Sequence, residues 1–233
     1  VARAADAFDA PATLAGMSDR RFAVRIVLGL LIVSGAAVRV WPIASRPLWY
    51  DEVMTWKSVV ESSFASILLW RHHHEHPPLS YLFVKAGVLV SGSDAEWVLR
   101  LPSLLAGILC IPAAYLLGRV AHGRAVGLLA AALAAFALNG ITQSQQARMY
   151  TLALLATLLG SAAAIQALRR PTPRRWALAG LAAGLALLAS NSGIATCITV
   201  PLSVLAVLPV TRRDAPYRRA LLVGGVAATA VIA

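Results

Sequence analysis

Asp51 and Glu52 stand side by side in Arg46-Pro-Leu-Trp-Tyr-Asp-Glu, and a run of imidazoles follows in His72-His-His-Glu75-His76-Pro77-Pro78. A carboxylate at the head of a helix has two readings. It can accept backbone N–H bonds as an N-cap and complement the helix dipole, or, flanked by Trp49 and Tyr50, it can take a proton as a general base. The two are compatible. The histidine run offers ligand types suited to zinc or manganese through His74, Glu75 and His76. It reads equally as a solvated interfacial loop, or as a place where His74, Glu75 or His76 touches a phosphate or a hydroxyl. Downstream, Gln143-Ser-Gln-Gln146-Ala-Arg148-Met-Tyr150 carries an arginine able to grip phosphate bidentately or to anchor a helix at an interface. Lys85 sits within an apolar run, where it either snorkels or pairs with a buried anion.

These residues are set in a chain of unusual composition. It has 233 residues, 59% of them hydrophobic, and a mean hydropathy of +0.72, above the roughly half-apolar usage of soluble domains. Long apolar runs separate short polar segments, so the expected class is an all-α polytopic membrane protein. Six of the ten carboxylates (Asp51, Glu52, Glu61, Glu75, Asp94 and Glu96) fall between residues 43 and 99, and none occurs between Trp97 and Arg213. The net charge of +11 is gathered in arginine clusters between apolar runs, which is the pattern of topology determinants and of attraction to anionic membrane lipids. It excludes a nucleic-acid partner as the reason for the charge. Cys110 and Cys197 lie inside apolar runs and read as small core residues. No signal peptide is visible, and the chain stops within an apolar run, which suggests that a C-terminal part is missing.

Taken in order, residues 1–21 form a polar tail, expected to be loosely attached and cytoplasmic. Residues 22–42 form the first span, with Arg39 free to snorkel at its end. Residues 43–99 are mixed. Val53, Trp56, Val60, Phe64 and Ile67 recur at helical spacing and predict an amphipathic helix lying on the membrane surface. The run 78–91 is short for a span. If it does not cross, the arginine clusters at 20–25, 119–124, 169–175 and 212–219 all share one side, as the positive-inside rule prefers. The stretch 43–99 is then one large extracytoplasmic loop, shared on its side by 142–149 and 191–193. Further spans are expected at 101–118, 125–141, 150–168, 176–190, 194–210 and from 220. Pro102 suits a helix start, and Pro112 and Pro201 suit kinks.

Several short motifs now appear in a fixed order: Trp49-Tyr-Asp-Glu, His76-Pro-Pro-Leu-Ser-Tyr81, Glu96-Trp-Val-Leu-Arg100-Leu-Pro-Ser103, Tyr115-Leu-Leu-Gly-Arg119 and Ser144-Gln-Gln-Ala-Arg-Met-Tyr150. Over residues 22 to 170 the chain resembles the N-terminal half of GT-C fold glycosyltransferases of the protein O-mannosyltransferase and aminoarabinose transferase type, in the bacterial mannosyltransferase-like branch. The resemblance implies a GT-C transmembrane bundle over 22–233, with catalytic loop 43–99 and remaining spans in 100–233. It implies transfer of a sugar from a polyprenyl-phosphate donor to a protein, lipid or envelope-glycan acceptor, by inversion, at the outer face of a bacterial inner membrane. On it, Asp51 is the base and Glu52 orients Asp51 or binds acceptor. Arg148, Lys85 and His76 meet the donor phosphate, and Trp49, Tyr50, His74 and Tyr150 contact substrate. Some relatives hold a divalent metal through the acid before the proline pair, here Glu75. The chain departs from the pattern at Gln146, where relatives commonly carry Glu. Two other classes stay open: a polyprenyl-lipid flippase, and a non-catalytic subunit of a glycan assembly complex. Nineteen arginines against two lysines, with abundant alanine, suggest a GC-rich bacterial genome and lean toward mannose or arabinose.

Overall fold

A computed structural model describes residues 10–41, 43, 46–70 and 76–191, with side chains from Arg21 onward. The expected spans at 194–210 and beyond 220, and the residues Arg71 to Glu75, lie outside the described residues. The described residues are all helical or irregular: α1 (Ala10–Val40), α2 (Tyr50–Glu61), α3 (Phe64–Leu68), α4 (Pro78–Ser91), α5 (Glu96–His122), α6 (Arg124–Phe136), α7 (Leu138–Ser144), α8 (Tyr150–Arg169) and α9 (Pro173–Ala189). The chain is therefore an all-α membrane protein, as its composition predicts. Helical structure begins at Ala10 rather than at residue 22, so half of the expected loose tail continues the first span.

Among the described residues three helices are long and apolar enough to cross a membrane: Arg21–Val40, Glu96–His122 and Tyr150–Arg169. A fourth crossing is available if α6 and α7, bent by 57° at Ala137, form one broken span. Helix α4 has 14 residues, about 21 Å at 1.5 Å per residue, and ends at Gly92 in the left-handed conformation (φ +65°). Its length agrees with a helix that does not cross. Pro102 is not at a helix start: α5 begins a turn and a half earlier and carries both Pro102 and Pro112 inside it.

Helix α5 is the axis of the bundle, packed by α1, α4, α6, α7 and α8. Small residues let the helices approach closely, as expected where lipid gives no hydrophobic drive for association. A Cβ on Gly118 would lie 2.8 Å from the Val126 carbonyl oxygen, and one on Gly127 would lie 2.8 Å from that of Tyr115. This crossing closes the α5–α6 hairpin tightly over Gly123, which takes φ +100°.

The break between α6 and α7 is held by a residue from α1. Leu133 O accepts from Ala137 N–H at 2.8 Å, and the first helical bond of α7 runs from Ile141 N–H to Ala137 O. The Ala134 and Ala135 carbonyls are thus left without helical donors inside the bundle, where an unsatisfied group is costly. Arg39 donates to both at 2.7 Å, to Gly35 O at 2.9 Å and to Ser144 Oγ at 3.1 Å. Its side chain is wholly buried. Arg39 therefore does not snorkel: the opened carbonyls, at the negative end of α6, draw the guanidinium inward. Gly107 makes room for this arrangement, since a Cβ there would strike Ser144 Oγ and lie 2.7 Å from Ser144 Cβ. Gly107→Ala is expected to push α7 off α5 and cost about 1–3 kcal/mol, read as a lowered thermal midpoint in detergent; an unchanged midpoint would contradict this packing.

The surface helices also differ from expectation. The sequence predicts one amphipathic helix; the structure has two, broken at Ser62-Ser63, with Ser63 Oγ accepting from Ser66 N–H at 3.1 Å to cap α3. The buried face of α2 is Glu52, Thr55 and Val59. Of the predicted apolar stripe, Val53, Val60 and Phe64 are exposed, Trp56 is half-buried and Ile67 is buried. The helix is rotated because Glu52 has a partner in α5, leaving Val53, Val60 and Phe64 available to a membrane surface.

Candidate active site

Glu52 and Arg100 fix the geometry of the site. The Glu52 Oε1 atom accepts from Arg100 Nε at 2.8 Å and from Ala147 N–H at 2.8 Å; Oε2 accepts from Arg100 Nη2 at 2.9 Å and from Trp49 N–H at 3.4 Å. Both side chains are nearly inaccessible. Four donors saturate a carboxylate, so Glu52 has no lone pair left for a substrate. Arg100 also donates to the carbonyls of Ile43 and Arg46, at 2.7 and 2.9 Å, and to that of Pro47 at 3.2 Å. One ion pair thus ties the start of the 43–99 stretch, the head of α2, the top of α5 and the turn before α8. Sequence reasoning passed over Arg100, although an arginine opening a long apolar helix is itself a signal that a buried partner exists.

With Glu52 turned inward, Asp51 faces outward. It is not the N-cap of α2: Trp49 holds that position, and the Glu52 side chain reaches back to the Trp49 amide. The Asp51 side chain is 35% exposed, and its Oδ2 lies 3.4 Å from Arg148 Nη2. Arg148 Nη1 also reaches the Asp51 carbonyl oxygen at 3.5 Å. The Arg148 side chain is only 9% exposed. Its Nη2 lies 3.3 Å from His76 Nε2; guanidinium only donates, so this contact is a hydrogen bond in the tautomer whose Nε2 accepts. The guanidinium carbon sits 5.7 Å from the centre of the Tyr150 ring, within cation–π range. Its Nε is buried with no hydrogen-bond partner among the described residues.

The turn that presents Arg148 is pinned on two sides. Ser103 Oγ donates to the Arg148 carbonyl at 2.6 Å, Thr151 Oγ1 donates to the Ser103 carbonyl at 3.0 Å, and Ala147 N–H donates to Glu52. Gln146 takes part through its backbone, its carbonyl accepting from Arg148 N–H at 2.8 Å. Behind the turn, Val59, Ile67, Tyr81, Val84, Leu99 and Ala147 form a buried apolar cluster. Asp51, Arg148, His76 and Tyr150 are thereby brought together, with Trp49 and Tyr50 exposed beside them in sequence. Lys85 does not join this set: its Nζ donates to Val59 O at 2.8 Å, in the last turn of α2, where a cation complements the dipole. Asp94 is occupied by Trp56 Nε1 at 2.9 Å. His74 and Glu75, the other members of the possible metal set, lie outside the described residues; among the described residues no three metal-ligating side chains come together.

A cavity of about 350 Å3 opens between α1, α5, α6, α7 and α8. Its wall includes Arg39, Cys110, Gln143, Tyr150, Thr151 and Leu154, and it is mostly apolar. Tyr150 therefore stands between the Arg148 cluster and an apolar cleft within the bundle.

A family model described as dolichyl-phosphate-mannose-protein mannosyltransferase matches residues 75–233. The match begins after Asp51 and Glu52 and runs well past residue 170, so the likeness extends further toward the C-terminus than the ordered motifs suggest. No curated protein and no solved structure matches the chain.

Proposed function

The chain belongs to the dolichyl-phosphate-mannose-protein mannosyltransferase family, and on that premise we propose that it moves a sugar from a polyprenyl-phosphate donor to an acceptor hydroxyl with Asp51 as the base. It is a multi-pass membrane glycosyltransferase of the GT-C kind, acting on a lipid-linked sugar. The observation that carries the finer reading is the pairing of half-exposed Asp51 with buried Arg148 at 3.4 Å. A base and a fixed cation at one point supply both ends of an inverting displacement.

The donor phosphate displaces Asp51 from the Arg148 guanidinium and so frees the carboxylate. Asp51 then takes the proton of the acceptor hydroxyl as the acceptor oxygen bonds to the anomeric carbon. The bond from that carbon to the phosphate oxygen breaks, and the lipid phosphate leaves with the electron pair. Charge developing on it in a site closed to water is where a fixed cation has most effect. Arg148 holds that charge, and His76 steadies Arg148 and adds a contact to the phosphate. Glu52 positions Asp51 through the Arg100 clamp, and Lys85 serves the end of α2. Trp49, Tyr50 and Tyr150 offer flat faces to the sugar or acceptor. The mostly apolar cleft below Tyr150, of about 350 Å3, offers room and chemistry for the first isoprenoid units. Residues 43–99 then form the extracytoplasmic catalytic loop of a bacterial inner-membrane enzyme. The donor sugar is mannose or arabinose and the acceptor an envelope glycan, lipid or protein. Should Glu75, His74 and His76 hold a divalent metal, it would supply further charge beside the phosphate; the steps above are those of the chain's own residues.

One feature favours a second reading. The break between α6 and α7 is the kind of discontinuous span that secondary transporters use. Proteoliposomes loaded with radiolabelled polyprenyl-phosphate mannose or arabinose separate the two. Transfer of label to acceptor, lowered roughly 10²–10³-fold by Arg148→Ala, is the expected result. Label that crosses the bilayer without transfer would make the chain a flippase, and neither event would make it a non-catalytic subunit.

A further inference from the structure

At the end of the bundle away from Asp51, a cleft of about 400 Å3 is lined by Arg21, Arg25, Arg119 and Arg124, over a floor of Val24, Leu28 and Tyr115. From the buried clamp at Arg100 to Arg119 is 19 residues of one helix, about 28 Å, or roughly the thickness of a hydrocarbon core. The cleft therefore sits at the opposite membrane interface from the reaction. We propose that it is a binding site for the phosphate headgroup of an anionic membrane lipid.

Four observations support this. The arginines come from three different helices, α1, α5 and α6, so their convergence is a product of the fold rather than of one basic run. The Gly118–Gly127 crossing and the turn at Gly123 bring Arg119 and Arg124 to one point. None of the four guanidiniums has a hydrogen bond or ion pair to another described residue, and among the described residues no carboxylate lines the cleft. Arg124 opens α6, where a cation opposes the helix dipole; helix stability does not explain its position, whereas an anion held between it and Arg119 does. The floor is apolar and continues into the buried cluster of Ile111, Ala131 and Ala135, against which Leu28 and Tyr115 pack. A free phosphate would leave that floor unused; a lipid covers it with its glycerol and first methylenes. Topology alone requires arginines on this side, but it does not require them to meet in one cleft.

The test uses the full chain in nanodiscs of neutral phosphatidylcholine, doped with cardiolipin or phosphatidylglycerol, and reads the rise in thermal midpoint with the mole fraction of anionic lipid. The wild type should show a saturable rise. Arg119→Gln with Arg124→Gln should weaken the apparent lipid affinity about 25-fold, at roughly five-fold per surface arginine. Arg170→Gln with Arg174→Gln removes the same charge at the same end from residues that do not line this cleft, although Arg170 lines the neighbouring one beside Arg119. It should weaken the affinity less than about three-fold, because salt and solvent screen charges that do not touch the headgroup. Equal losses in the two double variants would overturn the site in favour of diffuse charge attraction. Pyrophosphate raising the midpoint in neutral nanodiscs as far as cardiolipin does would overturn the lipid in favour of a soluble phosphate. Midpoints in pure phosphatidylcholine, which should match among all three proteins, report whether the variants fold. If the Arg119/Arg124 variant does not fold, Arg21→Gln with Arg25→Gln replaces it, with the same expected loss.

Discussion

Asp51→Asn is expected to abolish sugar transfer while leaving the protein folded. Removing a positioned general base lowers rates by about 10²–10⁴. The amide keeps the size of the side chain and loses only a half-exposed ion pair to Arg148, and pairs of that exposure contribute about 1 kcal/mol or less. The measurement is single-turnover transfer from labelled polyprenyl-phosphate sugar, set beside the thermal midpoint in the same detergent. Donor binding should survive, because Arg148 no longer shares its guanidinium with a carboxylate. An Asp51→Asn protein that transfers at wild-type rate would remove Asp51 from the chemistry and leave the family membership without a base.

The second large effect concerns stability. Arg100→Ala leaves the Glu52 carboxylate buried with two of its four donors gone and frees three loop carbonyls. Breaking a buried pair in this way costs about 3–5 kcal/mol, or roughly a 6–20 °C fall in thermal midpoint for a chain of this size. The paired replacement Glu52→Met with Arg100→Met removes both charges and should recover most of that loss. Transfer should nevertheless stay low in the paired variant, since nothing then ties Arg46 and Pro47 to α5 or aims Asp51 at Arg148. Full activity in the paired variant would mean that the clamp stabilises the fold without positioning the site.

Adjacent acids with opposite fates are hard to separate by reading a sequence. Asp51 and Glu52 differ by 100° around α2, and only the location of Arg100 decides which of them turns inward. The spans were legible because apolar runs are long and carry their own period. Of the four arginine clusters expected to share one side, three meet at one end of the bundle: Arg21 and Arg25 line a cleft with Arg119 and Arg124, and Arg169 Nη2 donates to Ala121 O at 2.9 Å; the fourth, 212–219, lies outside the described residues. The face of the amphipathic helix was misread because Val53, Val60 and Phe64 make a good stripe on their own, while the buried stripe contains a charge. Arg39 was misread for the same reason: a charged residue near the end of a span snorkels unless something inside the bundle needs it. That need arose from a break at Ala137 with no proline, for which Asn139-Gly140 was the available signal. Lys85 shows the opposite case, an amine in an apolar helix whose partner is a single carbonyl at a helix end.

The Arg39 arrangement also has a history in time. Its acceptor Ala134 lies 95 residues further along the chain. At about 5–20 residues per second of synthesis, α1 is complete roughly 5–20 s before Ala134 is made. During that interval the guanidinium has only the Gly35 carbonyl of its own helix to hold, and the interface is its best refuge for the remaining donors. The inward turn of Arg39 is therefore a late event in biogenesis, waiting on the arrival of α6 and drawing the first span into the bundle when it comes.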